Sequence, residues 1–258
     1  MFLTVIRLVL AESRRHGASS VLGLVSVLVL LLQFKLIAMG LLGPESAGVG
    51  EYLSFVSTGF AVWFLFFALT GSMLTRLMDE LKMGTFERII ASPTDESLYF
   101  LAVSTAYSLV ALLLTTIILA SSTLFGATYR LNITSTVVIL LASLASFYGI
   151  GLMMLALAIT SKQATQILAL VQAILLVLSG IYYPVEVLPT YLKVVAQAIP
   201  LTWSIQGFRE ALSGAPLEEL TLTLTVLVAM GFIYLIAGLI SFRKALNRER
   251  IRGTVLFW

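Results

Sequence analysis

The chain has 258 residues, of which 59% are hydrophobic and 11% are charged, with a formal net charge of +3. Soluble domains carry roughly 25% charged residues and roughly 45–50% apolar ones, so this composition excludes a soluble enzyme, a disordered protein and a nucleic-acid binder. The absence of cysteine excludes disulfides, thiol nucleophiles and cysteine-based metal sites, and we predict an all-α integral membrane protein.

The N-terminal segment, residues 1–19, is expected to form an amphipathic interfacial helix. Its first 12 residues are mostly apolar with little charge, and Arg14, Arg15 and His16 follow them. A cleaved signal peptide has the reverse order of charge and apolar residues, and about 12 residues are too few to cross a bilayer. We therefore expect this segment to lie on the cytoplasmic face; the alternative is a frayed tail.

Six apolar stretches are long enough to cross a membrane as helices, since about 20 residues span the hydrocarbon core. Only a helix satisfies its own backbone polar groups within one segment in lipid. The predicted spans are residues 20–42, 52–74, 98–121, 134–160, 163–183 and 220–242.

The distribution of Lys and Arg predicts the orientation. With six spans both termini lie on one side, and most basic residues fall on that side. The positive-inside rule then places both termini in the cytoplasm of a multi-pass plasma-membrane protein. The basic residues on the predicted outer side are Lys35, Arg130, Lys193 and Arg209.

The loop between the second and third spans, residues 76–96, is predicted to contain a short helix. Gly84 ends the helix that continues from the second span, Thr85 can cap a new helix over Phe86–Ala91, and Pro93 ends it. Phe86, Ile89 and Ile90 share one side of this helix. The pattern favours a rigid cytoplasmic docking surface over a solvated loop.

The sequence lacks the residues that ion-coupled transport and ATP hydrolysis by this chain would need. No Asp or Glu lies in the middle of a span, and the single histidine, His16, lies outside them; ion-coupled transporters usually carry such groups inside the membrane. The chain also contains no G-x-x-x-x-G-K-[ST] loop for ATP. If the protein pumps, another chain must hydrolyse the ATP; a passive channel is the competing interpretation.

Two spans carry regular patterns of aromatic or polar side chains, and the family resemblance given below implies that these two spans line a transport pathway. The second span has aromatic residues at helical spacing, and the fifth has polar residues at seven-residue intervals. Such a route suits hydrophobic or amphipathic cargo, and a polysaccharide would also be compatible with it because sugars stack on aromatic rings. Alternatively the polar groups bond a neighbouring helix and the aromatic rings face lipid. The candidates are Phe60, Trp63, Phe67, Thr165, Gln172 and Ser179.

The segment between the fifth and sixth spans, residues 184–219, is predicted to form an external hairpin of two short helices. It is rich in proline, and its amphipathic stretches at 190–198 and 202–213 are too short to cross. Such an element can cap an exit path or merely pack against the span ends. Its candidate residues are Tyr182, Tyr183, Pro184, Pro189 and Pro200.

Two blocks of sequence resemble the ABC-2-type exporter permeases. The first is Glu80-x-x-x-Gly84-Thr85-Phe86-Glu87 followed by Ser92-Pro93. The second is 179–184, SGIYYP, followed by 188–189, LP, and 199–203, IPLTW, with Arg209. Their order, their spacing and the span number match that family over nearly the whole chain.

The resemblance implies a non-enzymatic half-transporter that moves drug-like or lipid-like cargo. Its partners would be a second permease copy, most simply in a homodimer, and two copies of a separate ABC ATPase. It would also contact membrane lipids. ATP and Mg would bind the ATPase, and this chain would bind no cofactor or metal. The N-terminal helix would be the connecting helix, and 184–219 a re-entrant hairpin. The alternative is a cassette-independent channel or assembly factor. The residues implied to couple to the ATPase are Glu80, Gly84, Thr85, Phe86, Glu87 and Arg88.

Overall fold

The computed structural model describes residues 17–252 except 45, 47, 92–94 and 162–163. This part of the chain is all-helical. The predicted N-terminal interfacial helix lies almost wholly outside the described residues. The α-helices in chain order are α1 Gly17–Leu42, α2 Gly48–Lys82, α3 Phe86–Ala91, α4 Glu96–Leu124, α5 Ile133–Thr160, α6 Ala164–Leu178, α7 Thr190–Gln197, α8 Pro200–Leu212 and α9 Thr221–Arg252.

Five helices are long and apolar enough to cross a membrane in the described residues, and they correspond to five of the six predicted spans. They are the whole of α2, α4 and α5, together with Val25–Leu42 of α1 and Thr221–Arg248 of α9. The predicted span 163–183 contains the 15-residue helix α6. At about 1.5 Å per residue this helix is about 22 Å long, less than the roughly 30 Å hydrocarbon core. The count of six spans therefore stays a prediction.

Helices α2 and α5 form the centre of the bundle. Helix α2 packs against α1, α4, α5 and α8, and α5 packs against α9, α2, α8 and α6. In the most apolar windows, 61% of the α2 residues are buried but only 17% of those in α1 and 22% of those in α9. The outward faces of α1 and α9 are therefore left for lipid or another protein.

Helices α5 and α9 pack unusually closely through glycine. A Cβ at Gly149 would lie 2.3 Å from the backbone of Tyr234, and one at Gly238 would lie 2.3 Å from the carbonyl oxygen of Gly149. Small residues allow such backbone contact between membrane helices. Gly149, in the fourth predicted span, thus serves helix packing.

The two ends of the bundle differ. The end that carries α3, here called the α3 end, also contains the C-terminal ends of α2, α5 and α9 and the start of α4. The opposite end carries a 3₁₀ turn, Val185–Val187, together with α7 and α8. We refer to residues 184–219 as the hairpin segment and to this end as the hairpin end.

The two helices of the hairpin segment are buried to different extents. Helix α8 packs against α5, α2 and α9 and buries residues around most of its circumference. In α7 only Ala196 is buried. The two short helices predicted here are confirmed, and α8 is inserted between the long helices rather than lying on them.

Candidate functional site

At the α3 end, the carboxylate of Glu80 is buried and paired. Its residue is 5% exposed. The Arg76 guanidinium lies 2.6 Å from Glu80 Oε1, and the Tyr99 hydroxyl donates to the same oxygen at 2.9 Å. Arg76 Nε also donates to the Tyr99 oxygen at 2.8 Å. The charge of Glu80 is therefore balanced within the chain, and the three side chains join α2 to α4.

The turn between α2 and α3 depends on Gly84 and Thr85. Gly84 has a φ of +65°, a left-handed conformation that glycine adopts without steric cost. The Gly84 and Thr85 amides donate to the carbonyls of Leu81 and Glu80 at 3.2 and 3.0 Å, which is the Schellman arrangement at a helix C-terminus. The Thr85 hydroxyl donates to the Glu80 carboxylate. The Thr85 side chain thus holds the end of the preceding helix, and its role as a cap of α3 stays a prediction.

Helix α3, confirmed at Phe86–Ala91, is anchored by Phe86. This side chain is 2% exposed and belongs to a cluster with Leu77, Phe100 and Leu155, against which Ile89 also packs. Arg88 is exposed. Helix α3 is fixed on its inner side and presents a basic residue on its outer side. The side chains of Glu87 and Ile90 lie outside the described part.

Asp95 makes a second connection at this end. It accepts a hydrogen bond from the Ser97 amide at 2.8 Å, which caps α4, and it pairs with Arg243 of α9 at 2.8 Å. Partial burial alone would raise the pKa of Asp95, but the bonds from Ser97 and Arg243 outweigh it and lower that pKa below its ordinary value. The start of α4 and the C-terminal part of α9 are thereby linked.

The predicted aromatic residues of α2 form a continuous row. The ring centroids of Phe60 and Trp63 are 5.3 Å apart and those of Trp63 and Phe67 are 5.4 Å apart. The buried nitrogens Nε1 of Trp63 and Nε2 of Gln172 have no hydrogen-bond partner among the described residues. Thr165 lies in α6, with its side chain outside the described part. The geometry combines an aromatic row with unpaired donors.

The predicted hairpin residues begin or fasten the elements of that segment. Tyr182 packs against Phe34 with ring centroids 5.7 Å apart, and the Tyr183 hydroxyl donates to the Val177 carbonyl at 2.7 Å. Each proline occupies a helix start, where its missing N–H removes no helical bond. Pro184 precedes the 3₁₀ turn, Pro189 precedes α7, and Pro200 is the first residue of α8.

Arg209 of α8 is the buried charge of the hairpin end. Its Nη2 donates to the carbonyls of Gly180 and Ile181 at 2.8 and 3.2 Å, and Nε and Nη2 donate to the Phe55 carbonyl at 3.3 and 3.1 Å. Its guanidinium carbon lies 3.3 Å from the centroid of the Phe55 ring. Burial lowers the pKa of Arg209 to about 9, so the side chain stays cationic at neutral pH.

Comparison with known proteins decides the family. The family model of the ABC-2 type transporter matches residues 2–213, which is most of the chain. The protein belongs to the ABC-2 type transporter family. It is similar to the linearmycin resistance permease protein LnrN of Bacillus subtilis (strain 168), with 24% identity over 189 residues. This match covers 72% of the chain and 49% of the relative, so the chain spans about half the length of that curated relative.

Family membership confirms the resemblance read from the two sequence blocks and identifies a multi-pass membrane protein. Sequence reasoning selected Glu80 but missed Arg76 and Tyr99, which hold it. The spacing of Arg76 and Glu80 by four residues on one helix was a usable signal. For Tyr99 no local signal existed, because it reaches Glu80 only through packing of α4 on α2.

Proposed function

We propose that this chain is the transmembrane permease subunit of an ABC exporter. It would move a hydrophobic or amphipathic compound, such as a drug-like molecule or a lipid, out across the plasma membrane. A separate cassette subunit would hydrolyse ATP with Mg, and this chain would carry out no catalysis itself. Membership in the ABC-2 type transporter family supports the general role, and the similarity to a protein named as a resistance permease supports drug-like cargo.

The observation that carries the proposal is the construction of the α3 end. A load applied to α3 would pass to α2 through the Gly84–Thr85 turn and to α4 through the bonds of Glu80 with Thr85 and Tyr99. It would also reach the buried cluster through Phe86. The exposed Arg88 remains available for an acidic partner. We infer that α3 is the coupling helix and that Glu80 and Phe86 transmit force while Arg88 contacts the ATPase.

Two copies of the permease and two cassettes would form the working transporter. The exposed apolar faces of α1 and α9 are surfaces that a second copy or lipid can cover. The Phe60–Trp63–Phe67 row with the unpaired donors of Trp63 and Gln172 would line the cargo route. Apolar rings with a few hydrogen-bond donors suit an amphipathic compound.

The proposed topology has six spans and cytoplasmic termini. The α3 end would face the cytoplasm and the hairpin end the outside, in agreement with the excess of Lys and Arg at the α3 end. The fifth predicted span, residues 163–183, would consist of α6 and the chain that follows it to residue 183. The hairpin segment would then be re-entrant from the outer side.

The test is a charge reversal on the outer side of α3. The tagged chain is purified from its own membranes in mild detergent, and the ATPase that comes with it is quantified by mass spectrometry. Arg88→Glu should reduce the bound ATPase about tenfold or more, because like charges then face each other across the interface. Arg130→Glu, an exposed charge reversal at the hairpin end, is the matched control and should retain the ATPase.

The opposite results would decide against the proposal. If the Arg88→Glu variant binds as much ATPase as the wild type and gives cells the same resistance to the transported compound, α3 is not part of the docking surface. A wild-type preparation without any ATPase, even after gentle cross-linking, would favour the cassette-independent channel or assembly factor. Solute flux through liposomes containing this chain alone would then be the next measurement.

A further inference from the structure

The hairpin end contains a cavity that the transport proposal does not use. Its volume is about 230 Å³, and it lies between the Phe55 region of α2, the end of α6, the 3₁₀ turn, α7 and α8. The polar residues that line it include Ser179, Glu186, Lys193, Thr202, Gln206 and Arg209. These residues come from four different elements, so the cavity depends on the fold of the hairpin segment.

The charges at the cavity favour an anion. Lys193 and Arg209 are cationic, and Glu186 is the single acidic residue of the lining. Glu186 interacts electrostatically with Arg209, but among the described residues no ion pair joins it to either cation, and its side chain is exposed. The lining thus carries an excess of one positive charge, with the buried cation Arg209 in its wall.

Arg209 retains donor capacity. Its described bonds to Phe55, Gly180 and Ile181 use Nε and Nη2. No bond from Nη1 to a described residue is present. Because a guanidinium carries five N–H donors, Arg209 can hold the three carbonyls and still donate to a ligand.

Two buried hydroxyls in the cavity wall also lack partners. Ser179 and Thr202 are 1% and 6% exposed, and the buried Oγ of Ser179 and Oγ1 of Thr202 have no hydrogen-bond partner among the described residues. Leaving a buried donor unsatisfied is costly, and native structures contain few such groups. A bound group with several acceptor oxygens would satisfy both.

We propose that this cavity binds a phosphate group. A phosphate offers acceptor oxygens in several directions, which suits donors that arrive from the end of α6, from α7 and from α8. A carboxylate has two oxygens in one plane and would serve fewer of these donors. The phosphate would belong either to a phospholipid headgroup or to a water-soluble phosphorylated molecule. The site does not depend on ATPase docking, so its test is separate from that of the transport proposal.

The test measures binding of two probes to the purified full-length protein in detergent. The probes are inorganic phosphate and the short-chain lipid dihexanoylphosphatidylglycerol, each followed by isothermal titration calorimetry and by fluorescence, since Trp203 lines the cavity. Thr202→Val and Ser179→Ala should each weaken binding about tenfold, the usual effect of removing one hydrogen bond to a charged group. Lys193→Gln should weaken it by a similar factor and reduce its salt dependence.

Stability without probe separates this site from a purely structural role. Because the two hydroxyls have no partner in the described structure, Thr202→Val and Ser179→Ala should leave the melting temperature unchanged or slightly raised. Ser143→Ala, which removes a buried hydroxyl bonded to its own helix, and Arg130→Gln, which removes a cation at the same end, are matched controls. Both controls should bind the probes as the wild type does.

The results distinguish the sources and can overturn the proposal. Cavity-dependent binding of the lipid probe alone assigns the site to a phospholipid headgroup. Cavity-dependent binding of inorganic phosphate assigns it to a water-soluble phosphorylated molecule. No binding of either probe, or equal binding by wild type and the Thr202→Val, Ser179→Ala and Lys193→Gln variants, overturns the proposal.

Discussion

The α3 end and the hairpin end each bury a charge, but they satisfy it in different ways. Glu80 has an oppositely charged partner, Arg76, and hydroxyl donors from Tyr99 and Thr85. Arg209 has carbonyl oxygens and an aromatic ring but no acidic side chain in an ion pair among the described residues. The first network is complete, whereas the second borders a cavity with unpaired hydroxyls.

This difference teaches what a buried charge can be used for. A buried pair with all its hydrogen bonds made fixes the relative positions of the elements that supply it. A buried cation whose hydrogen bonds go to neutral carbonyls, with its nearby acidic residue outside ion-pair distance, can still attract an anionic ligand. The contrast agrees with the two proposals, in which the α3 end would transmit a displacement and the hairpin end would bind a ligand.

The largest effect is expected from breaking the complete network. Glu80→Gln removes the ion pair with Arg76 and replaces one of the two oxygens that accept from the Tyr99 and Thr85 hydroxyls by an NH2 donor. It should lower the free energy of unfolding by about 2 kcal/mol. ATPase association and transport should fall with it, since α3 loses its connection to α4. Chemical unfolding in detergent and the purification assay measure the two effects.

A double-mutant cycle provides the control for Glu80. Arg76→Gln and the double variant Arg76→Gln/Glu80→Gln should together give a coupling energy of about 1 kcal/mol or more. Additive single effects would mean that the pair contributes nothing beyond its separate members. The hydrogen-bonded pair of Arg76 and Glu80 would then not explain how a displacement of α3 is transmitted.

A smaller effect is expected from crowding Arg209. A Cβ at Gly59 would lie 2.9 Å from Arg209 Nη2 and 2.9 Å from the Ile181 carbonyl oxygen. Gly59→Ala should therefore lower the free energy of unfolding by about 2 kcal/mol or less and weaken phosphate binding, because the guanidinium must move. Calorimetric unfolding and the probe titrations measure both.

Gly71 offers a matched control on the same helix. A Cβ there would meet only a Phe67 ring carbon at 3.9 Å, an ordinary contact. Gly71→Ala should be neutral or stabilise by up to about 1 kcal/mol through helix propensity. Equal destabilisation by both substitutions would show that α2 does not tolerate alanine in general, and the close approach at Gly59 would lose its importance.

The smallest effect concerns the exposed pair of Asp95 and Arg243. Arg243→Gln should cost less than about 0.5 kcal/mol at low salt and nothing measurable at high salt, because solvent screens the pair. Since the folded state lowers the pKa of Asp95 from 3.8, the contribution of its carboxylate is complete above pH 3.8 and is lost as the pH falls through the lower folded-state value. Melting curves across pH and salt measure this.

Sequence patterns predicted what depends on local rules. The bounds of α3 followed from Gly84 and Pro93, and the positions of α7 and α8 followed from proline spacing. The partnership of Glu80 with Tyr99 could not be predicted, because it depends on the rotation of α4 against α2. The spacing places Ser179 among the polar residues of the fifth predicted span. In the structure it follows the end of α6 and lines the cavity. Where a helix ends in space decides which neighbours its last residues meet.

The backbone contact between α5 and α9 constrains how the protein can change shape. With Gly149 and Gly238 in direct contact, neither helix can slide along the other without separating first. The two helices therefore form one rigid unit. Helix α6, whose main contacts are with α5 and α7, is held by fewer neighbours. If the protein changes shape during transport, we expect the α5–α9 pair to move together and less constrained helices, such as α6, to move relative to it.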